Sequence, residues 1–425
     1  MGMGLAAGSG PPATATAGDG EVVAREVAQD LVDHRYGAIV ARFDAAMVAA
    51  LSEEKLKSSW EPMAPTLGKL ERLGTSRIET IGGRALVVVP LIFEHNSLDL
   101  RVAVDAQAKV AGLFIAPSAP TQSWSPPSYA PESFVERPLA VGPLALPGSL
   151  VLPVGPGPFA CAVLVHGSGP NDADETLGSN KPFRDLALGL AGRGIATVRY
   201  EKRTHARPAA FTLDHPYTVK EEVIDDAVAA VRLAASTPGL DAKRVWIIGH
   251  SWGGYLAPRI AAAAADVAGL VVLAGSTRPL EDLLVEQITY LNGPGAPAVA
   301  AIEATARTVR DPGLSAAQIV DVLGAKLPGS YFLDLRSYDA ARTAAGLRIP
   351  VLVLQGDRDY QVRRADYDGW ERVLHGHSGA RFKRYPGLNH LFQEGTEASR
   401  PSEYLRPGMH VAPAVIADIA SFIAT

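Results

Sequence analysis

The apolar positions of this chain change their period twice. From Glu21 to Leu51 they recur at helical spacing (Val22, Val23, Val27, Leu31, Val32) with no proline, which predicts a helical region over 21–60, closed by Trp60 and Pro62. From Thr75 the pattern turns β-branched or alternating. Arg84–Phe93 (RALVVVPLIF), Leu98–Val104 and Lys109–Ile115 read as strands, with turns at Gly82–Gly83 and Asp105–Ala106. Helices followed by antiparallel strands predict a small α+β domain over 21–116. Residues 117–133 hold five prolines and several serines, the signature of a semi-rigid linker. Residues 1–20 carry no apolar run and read as a disordered tail.

After the linker a second rhythm begins. Phe134–Pro153 alternates and turns at Gly142–Pro143, like an opening hairpin. The strand-like runs Phe159–Val165, Ile195–Tyr200, Val245–Gly249, Ala268–Ala274, Val351–Leu354 and Arg381–Tyr385 then follow one another. Helical stretches at Phe183–Ala191, Val219–Ser236, Gly254–Ala265 and Ala412–Ala424 separate or close them. Strands that are apolar on both faces, with helices between them, predict an α/β domain over 134–425 whose mostly parallel sheet is covered on both sides. Residues 276–346 interrupt the rhythm with Ala-rich helical patterns and no strand signal.

Composition narrows the function classes. With 47% hydrophobic residues the chain has enough apolar surface to fold. Its 425 residues exceed the roughly 250–300 at which one core stops growing, so more than one domain is expected. Forty basic against 45 acidic residues, net −5, disfavour a dedicated nucleic-acid binder. The single cysteine, Cys161, excludes an internal disulfide and a multi-cysteine metal site, and its apolar strand makes it an inert buried thiol. No window reaches the ~18 apolar residues of a membrane span. The first twenty residues lack the basic start and apolar core of a secretory signal, and Ala6 stands where a myristoylation motif needs Ser or Thr, so the expected location is cytoplasmic.

The chemistry centres on Val245–Ile248, a strand that runs into Gly249-His250-Ser251-Trp252-Gly253 and then a helix. This is G-x-S-x-G in the strand–turn–helix context it requires. A residue at so sharp a turn has its side chain pushed out above the sheet, small residues at 249 and 253 let backbone approach, and the helix N-terminus favours developing negative charge. Ser251 is therefore the candidate nucleophile.

With that motif the chain from Phe134 onward resembles the serine hydrolases of the α/β-hydrolase superfamily, in the branch of esterases, dienelactone hydrolases and prolyl-oligopeptidase-like enzymes. Three further motifs stand where the family's order puts them. His166-Gly167-Ser168-Gly169-Pro170 follows a strand, and the resemblance assigns the backbone N–H groups of Ser168 and Trp252 to an oxyanion hole. His166 is expected to brace this turn. In Gly356-Asp357-Arg358-Asp359-Tyr360-Gln361-Val362 the family's G-x-x-D-x-x-V spacing selects Asp359 as the acid, while Asp357 is left to turn chemistry or a salt bridge with Arg358. In Gly387-Leu388-Asn389-His390 the late loop carries the general base, His390. The order Ser251, Asp359, His390 is that of the α/β-hydrolases.

The resemblance implies acyl-enzyme chemistry on a small-molecule ester, with no cofactor or metal. It also implies a helical cap at 276–346, where Tyr331 and Phe332 line a pocket or fill the cap's own core. Tyr200-Glu201-Lys202-Arg203 matches an aromatic–acidic–Lys–Arg run that holds loops around the oxyanion turn, whereas the acidic run Asn171–Glu175 reads as a solvated loop. Domain 21–116 resembles accessory domains that mediate dimerisation, here a homodimer, or that shape the pocket entrance. Esterase is the leading reading. A peptidase or amidase of the same fold, an acyltransferase or cyclase using the same acyl-enzyme, and a non-enzymatic binding module are the alternatives. Only the last would fail to be labelled at Ser251 by an organophosphonate.

Overall fold

The computed structural model describes residues 3–5, 17–61, 67–81, 84–93, 97–118, 123–213, 216–264 and 266–425. They fall into two compact units, Met1–Thr121 with Arg400–Leu405, and Gln122–Ser399 with Arg406–Thr425.

In the first unit the expected helical stretch is four separate helices: α1 (Ala17–Val32), α2 (Tyr36–Val40), α3 (Ala45–Ala50) and α4 (Glu53–Trp60). Local capping breaks the run. The carboxylate of Asp44 accepts the Met47 N–H at 2.7 Å and the hydroxyl of Ser52 accepts that of Lys55 at 3.3 Å, so each opens a new helix. The sheet order is β1-β6-β5-β4-β2, with β3 also on β4: β1 (Met3–Leu5), β2 (Leu70–Leu73), β3 (Arg77–Ile81), β4 (Arg84–Phe93), β5 (Ser97–Val104) and β6 (Val110–Pro117). Two of these, β2 and β3, escape the sequence pattern. They are short and charge-rich, and only pairing with the long β4 makes them strands. Met3–Leu5 pairs with β6 and α1 begins at Ala17, so parts of the segment expected as a tail are ordered elements, formed by backbone pairing that an apolar pattern does not report. The rest of that tail, the Gly82–Gly83 turn and Pro62 lie outside the described residues. Ala24, Val27, Ala28 and Leu31 of α1 pack on Val89, Leu91, Leu100 and Val102 of the sheet.

The second unit is built on an eight-stranded sheet of order β16-β15-β12-β11-β9-β10-β8-β7. Its strands are β7 (Val135–Val141), β8 (Leu146–Leu152), β9 (Phe159–Val165), β10 (Ile195–Tyr200), β11 (Leu240–His250), β12 (Gly269–Leu273), β15 (Val351–Gly356) and β16 (Ala380–Tyr385). Pairing is parallel from β10 to β16, and antiparallel only where the hairpin β7–β8 joins β10. Successive residues serve opposite faces, as pleating demands. Cys161, Val163 and Val165 enter one core with Val245 and Ile247, while Ala160, Ala162 and Leu164 enter the other with Trp246 and Ile248. Helices cover both faces: α5 (Pro182–Ala191), α6 (Asp225–Ser236), α7 (Trp252–Ala264), α12 (Arg364–Leu374) and α13 (Pro413–Ala424).

Two expectations need correction here. The 276–346 segment forms α8 (Leu280–Asn292), α9 (Pro297–Arg310), α10 (Gly329–Leu335) and α11 (Ala340–Ala345), but also a hairpin of β13 (Ile319–Val322) and β14 (Ala325–Pro328). Its two-residue turn, Leu323-Gly324, has positive φ at both positions, the geometry that suits a tight hairpin but lacks the usual Asn-Gly signal. The end of the linker is also docked. Trp124 Nε1 donates to the fully buried Asp185 at 3.0 Å, and the Tyr129 hydroxyl donates to the Val411 carbonyl at 2.7 Å.

Candidate active site

Strand β11 ends at His250 and α7 begins at Trp252, so Ser251 alone turns the chain from strand to helix. Its φ is +52°, a left-handed conformation that costs a non-glycine residue about 1–2 kcal/mol. Neighbouring backbone holds it there: Ser251 N–H donates to the Leu273 carbonyl at 2.8 Å, and its own carbonyl accepts the Tyr255 N–H at 2.9 Å. Gly249 pairs with Val165 on β9, and a Cβ on Gly253 would overlap the Val165 carbonyl oxygen. Glycine is needed at that point because two backbones meet there.

The same approach sets the end of β9 beside the turn. Gly167 N–H donates to Glu175 Oε1 at 2.6 Å, while the Gly167 carbonyl accepts from Lys202 Nζ and from Asn171 Nδ2, both at 3.2 Å. That carbonyl and the Ser168 N–H belong to one planar trans peptide, so anchoring the oxygen aims the N–H in the opposite direction. Trp252 N–H, at the first position of α7, has no intrahelical acceptor. Lys202 is buried and lies 2.6 Å from Glu222 Oε1, and Glu222 Oε2 accepts the Tyr331 hydroxyl of α10 at 2.6 Å. Arg203 closes the run with a bidentate pair to Asp226 at 2.6 Å. His166 packs between the rings of Phe183 and Tyr200, and burial pushes its imidazole down to about 4, so it is neutral at pH 7.

Asp359 and His390 come together from the loops after β15 and β16. Asp359 Oδ2 lies 2.7 Å from His390 Nδ1, and both residues are buried. Three further donors meet the carboxylate: Gln361 N–H at 2.7 Å, Val362 N–H at 3.1 Å and Gln355 Nε2 at 3.0 Å. A carboxylate only accepts, so Nδ1 of His390 carries the proton and Nε2 keeps the basic lone pair. Asp357 instead pairs with Arg384 at 3.2 Å, a partner from β16 and not the neighbouring Arg358. The His390 loop is pinned by Asn389 Oδ1, which accepts the N–H groups of Leu391 and Gln393, each at 3.0 Å.

The acidic run after the Gly167–Gly169 turn is not a solvated loop. Glu175 is 3% exposed and its Oε2 lies 2.9 Å from His250 Nδ1, while His250 Nε2 donates to the His390 carbonyl at 3.0 Å. Burial opposes a charge on either group. Attraction between them prevails, raising His250 and lowering Glu175 relative to their ordinary values. Asp174 pairs with Lys181 at 2.8 Å and with Arg199, and Asp172 Oδ1 accepts the N–H groups of Asp174 and Thr176. His250 and Arg199 lie elsewhere in the chain, so spacing within the run hides these two partners. The sequence pattern does not mark Glu175 or Gln355 as site residues, and it marks Asn389 only as part of the His390 motif. For Gln355 a signal existed, a lone polar residue ending the apolar strand VLVLQG. Among the described residues no group of three or more His, Cys, Asp or Glu could hold a metal ion, and no helix is long and apolar enough to cross a membrane.

Residues 162–406 match the family described as "Alpha/beta hydrolase family", and residues 24–113 match one described as "Protein of unknown function (DUF3887)". The chain is 37% identical over 379 residues, 88% of either protein, to Esterase EstD of Thermotoga maritima. Among solved structures it is similar to Est1E from Butyrivibrio proteoclasticus (16% identity, TM-score 0.45, covering 68% of this chain and 99% of that one). It is also similar to the Pyrococcus furiosus esterase Pf2001 (14% identity, TM-score 0.43, covering 72% and 96%).

Proposed function

The chain belongs to the α/β-hydrolase family, and from that premise we propose that it hydrolyses carboxylic esters through an acyl-enzyme on Ser251. The observation that carries the reading is the strained strand–helix turn at Ser251, in the same unit as a buried His390 whose Nδ1 is held 2.7 Å from Asp359. The 37% identity to a protein named as an esterase supports the ester as substrate class.

In this mechanism Nε2 of His390 takes the Ser251 hydroxyl proton as Oγ attacks the ester carbonyl. The alkoxide is met by the N–H groups of Ser168 and Trp252, each worth about 2.7–4 kcal/mol by the cost of losing one such donor. Collapse expels the alcohol with the proton from His390. Water, deprotonated by His390, then attacks the acyl-enzyme and releases the acid. Asp359 keeps the imidazole in the required tautomer and stabilises its cation. The 276–346 segment serves as the cap. Tyr331 from it stacks 6.3 Å from Trp252, and Gln287 Nε2 donates to the Gln361 carbonyl beside the acid at 3.0 Å. The N-terminal unit acts as an accessory domain outside the chemistry.

The test is hydrolysis of p-nitrophenyl esters of increasing acyl length by wild type and Ser251→Ala, with organophosphonate labelling of both. Hydrolysis and labelling that vanish together in the variant support the reading. Equal hydrolysis in both removes Ser251 from the mechanism.

A further inference from the structure

The geometry points to Glu175 and His250 as a positioning pair for this reaction, a bridge that sets the nucleophile turn, the oxyanion turn and the base loop relative to one another. The inference rests on the ester-hydrolase reading above.

Three loops leave three different strands, and two side chains join them. His250 precedes Ser251 in the chain. Through Nε2 it holds the carbonyl of His390 at 3.0 Å, and through Nδ1 it faces Glu175 Oε2 at 2.9 Å. The other oxygen of Glu175 holds the Gly167 N–H at 2.6 Å, one residue before the Ser168 donor. A shift in either side chain therefore reaches the nucleophile, an oxyanion donor and the base together. Both are buried, so water cannot replace a lost contact. Glu175 also sits at φ +53°, a strained conformation for a side-chain-bearing residue, and this places its carboxylate beneath the turn.

The bridge contains a proton. A neutral imidazole donates from one nitrogen only, and Nε2 is committed to a carbonyl, which cannot donate. Nδ1 facing a bare carboxylate would set two acceptors against each other. The pair holds together only with a proton between Nδ1 and Oε2. Glu175 faces His250 from the loop after β9, and Asp359 and His390 face it from the loops after β15 and β16, with the His390 ring 4.8 Å away. His166 faces Glu175, and Lys202 grips the far side of Gly167. Loss of that proton at alkaline pH removes the bridge without touching Ser251, Asp359 or the His390 ring.

Three variants test this against ester hydrolysis. Glu175→Ala and His250→Phe break the bridge, and a misplacement of reacting groups near 1 Å costs about 10²-fold. The expected result is kcat lower by about tenfold to a hundredfold with KM within about threefold, since the loss falls on the transition state. Glu175→Gln rebuilds the bridge without the proton, its amide oxygen accepting from Gly167 and its NH₂ donating to Nδ1. It is expected to recover about tenfold of the kcat lost in Glu175→Ala and to flatten the alkaline limb of the kcat profile. Alanine and phenylalanine variants with wild-type kcat, a loss expressed in KM alone, or a Gln variant as impaired as the Ala variant would each overturn the pair's role. If the two disruptive variants do not fold, the alkaline limb of Glu175→Gln decides: an unchanged limb rejects the inference. A wild type that neither hydrolyses esters nor labels at Ser251 rejects the underlying function, a distinguishable outcome.

Discussion

The Tyr331 hydroxyl donates to Glu222 Oε2 at 2.6 Å, and the other oxygen of Glu222 holds Lys202, whose ammonium also grips the Gly167 carbonyl. A residue of the 276–346 segment is thereby three contacts away from the Gly167–Ser168 peptide. Tyr331→Phe keeps the ring against Trp252 and deletes only the hydroxyl. A buried carboxylate that loses one donor costs about 1–3 kcal/mol, which lowers the melting temperature by several degrees in a domain of this size. We expect that shift in thermal unfolding, together with a kcat about two- to tenfold lower. A variant with unchanged kcat would uncouple the segment from the Gly167–Ser168 turn.

Asp359 and Asp357 stand two residues apart and do different things. Asp359 is buried against His390, and Asp357 sits part-exposed in a salt bridge with Arg384. Asp359→Asn leaves the shape and reverses the tautomer preference of His390, for which a drop of about 10⁴ in kcat is expected. Asp357→Asn loses one surface ion pair, worth about 0–1 kcal/mol, and should leave kcat within about twofold of wild type. Steady-state rates on one p-nitrophenyl ester decide, and equal losses in both variants would undo the assignment of the acid.

What the sequence discloses divides along a physical line. As candidates, Ser251, Asp359 and His390 stand out because each is bound to a local pattern: glycines where backbones touch, a carboxylate two residues before the N–H it accepts, a loop closing a strand. The central strands are legible because residues such as Val163 and Leu164 are buried on opposite faces and so read as continuous apolar runs. What stays hidden depends on partners far away in the chain. The strands β2 and β3 exist through pairing with β4, and the helix breaks at Asp44 and Ser52 depend on caps inside an unbroken apolar pattern. Glu175 looks like any surface acid until His250, 75 positions onward, supplies its partner.

Cys161 lies fully buried on β9, and burial pushes its thiol up to about 12. Only the thiolate is an effective nucleophile, so the native protein should resist alkylation at pH 8. One equivalent of label should enter in denaturant, as quantified by intact mass. Fast labelling of the native protein would show that the centre of the sheet opens under native conditions.

His166 predicts an acid-dependent loss of stability whose sign follows from its neutral burial. In the unfolded chain an imidazole binds a proton near its ordinary value of 6.5, whereas in the fold burial holds it near 4. As pH falls through 6.5 the unfolded state gains the proton first, so stability drops progressively toward pH 4, by up to about 3 kcal/mol for this group. His250 does not contribute to that loss, because its raised pKa keeps its stabilisation fully present below 6.5. Glu175, held below its ordinary value, begins to contribute to the loss only under about pH 4.5. Between about pH 6.5 and 4.5 the slope therefore reports on His166, and His166→Gln, which cannot titrate, should flatten it. Unfolding midpoints measured across this interval for both proteins carry the test: parallel curves would mean that the wild-type imidazole is already protonated in the fold, or solvated enough to titrate as it does in the unfolded chain.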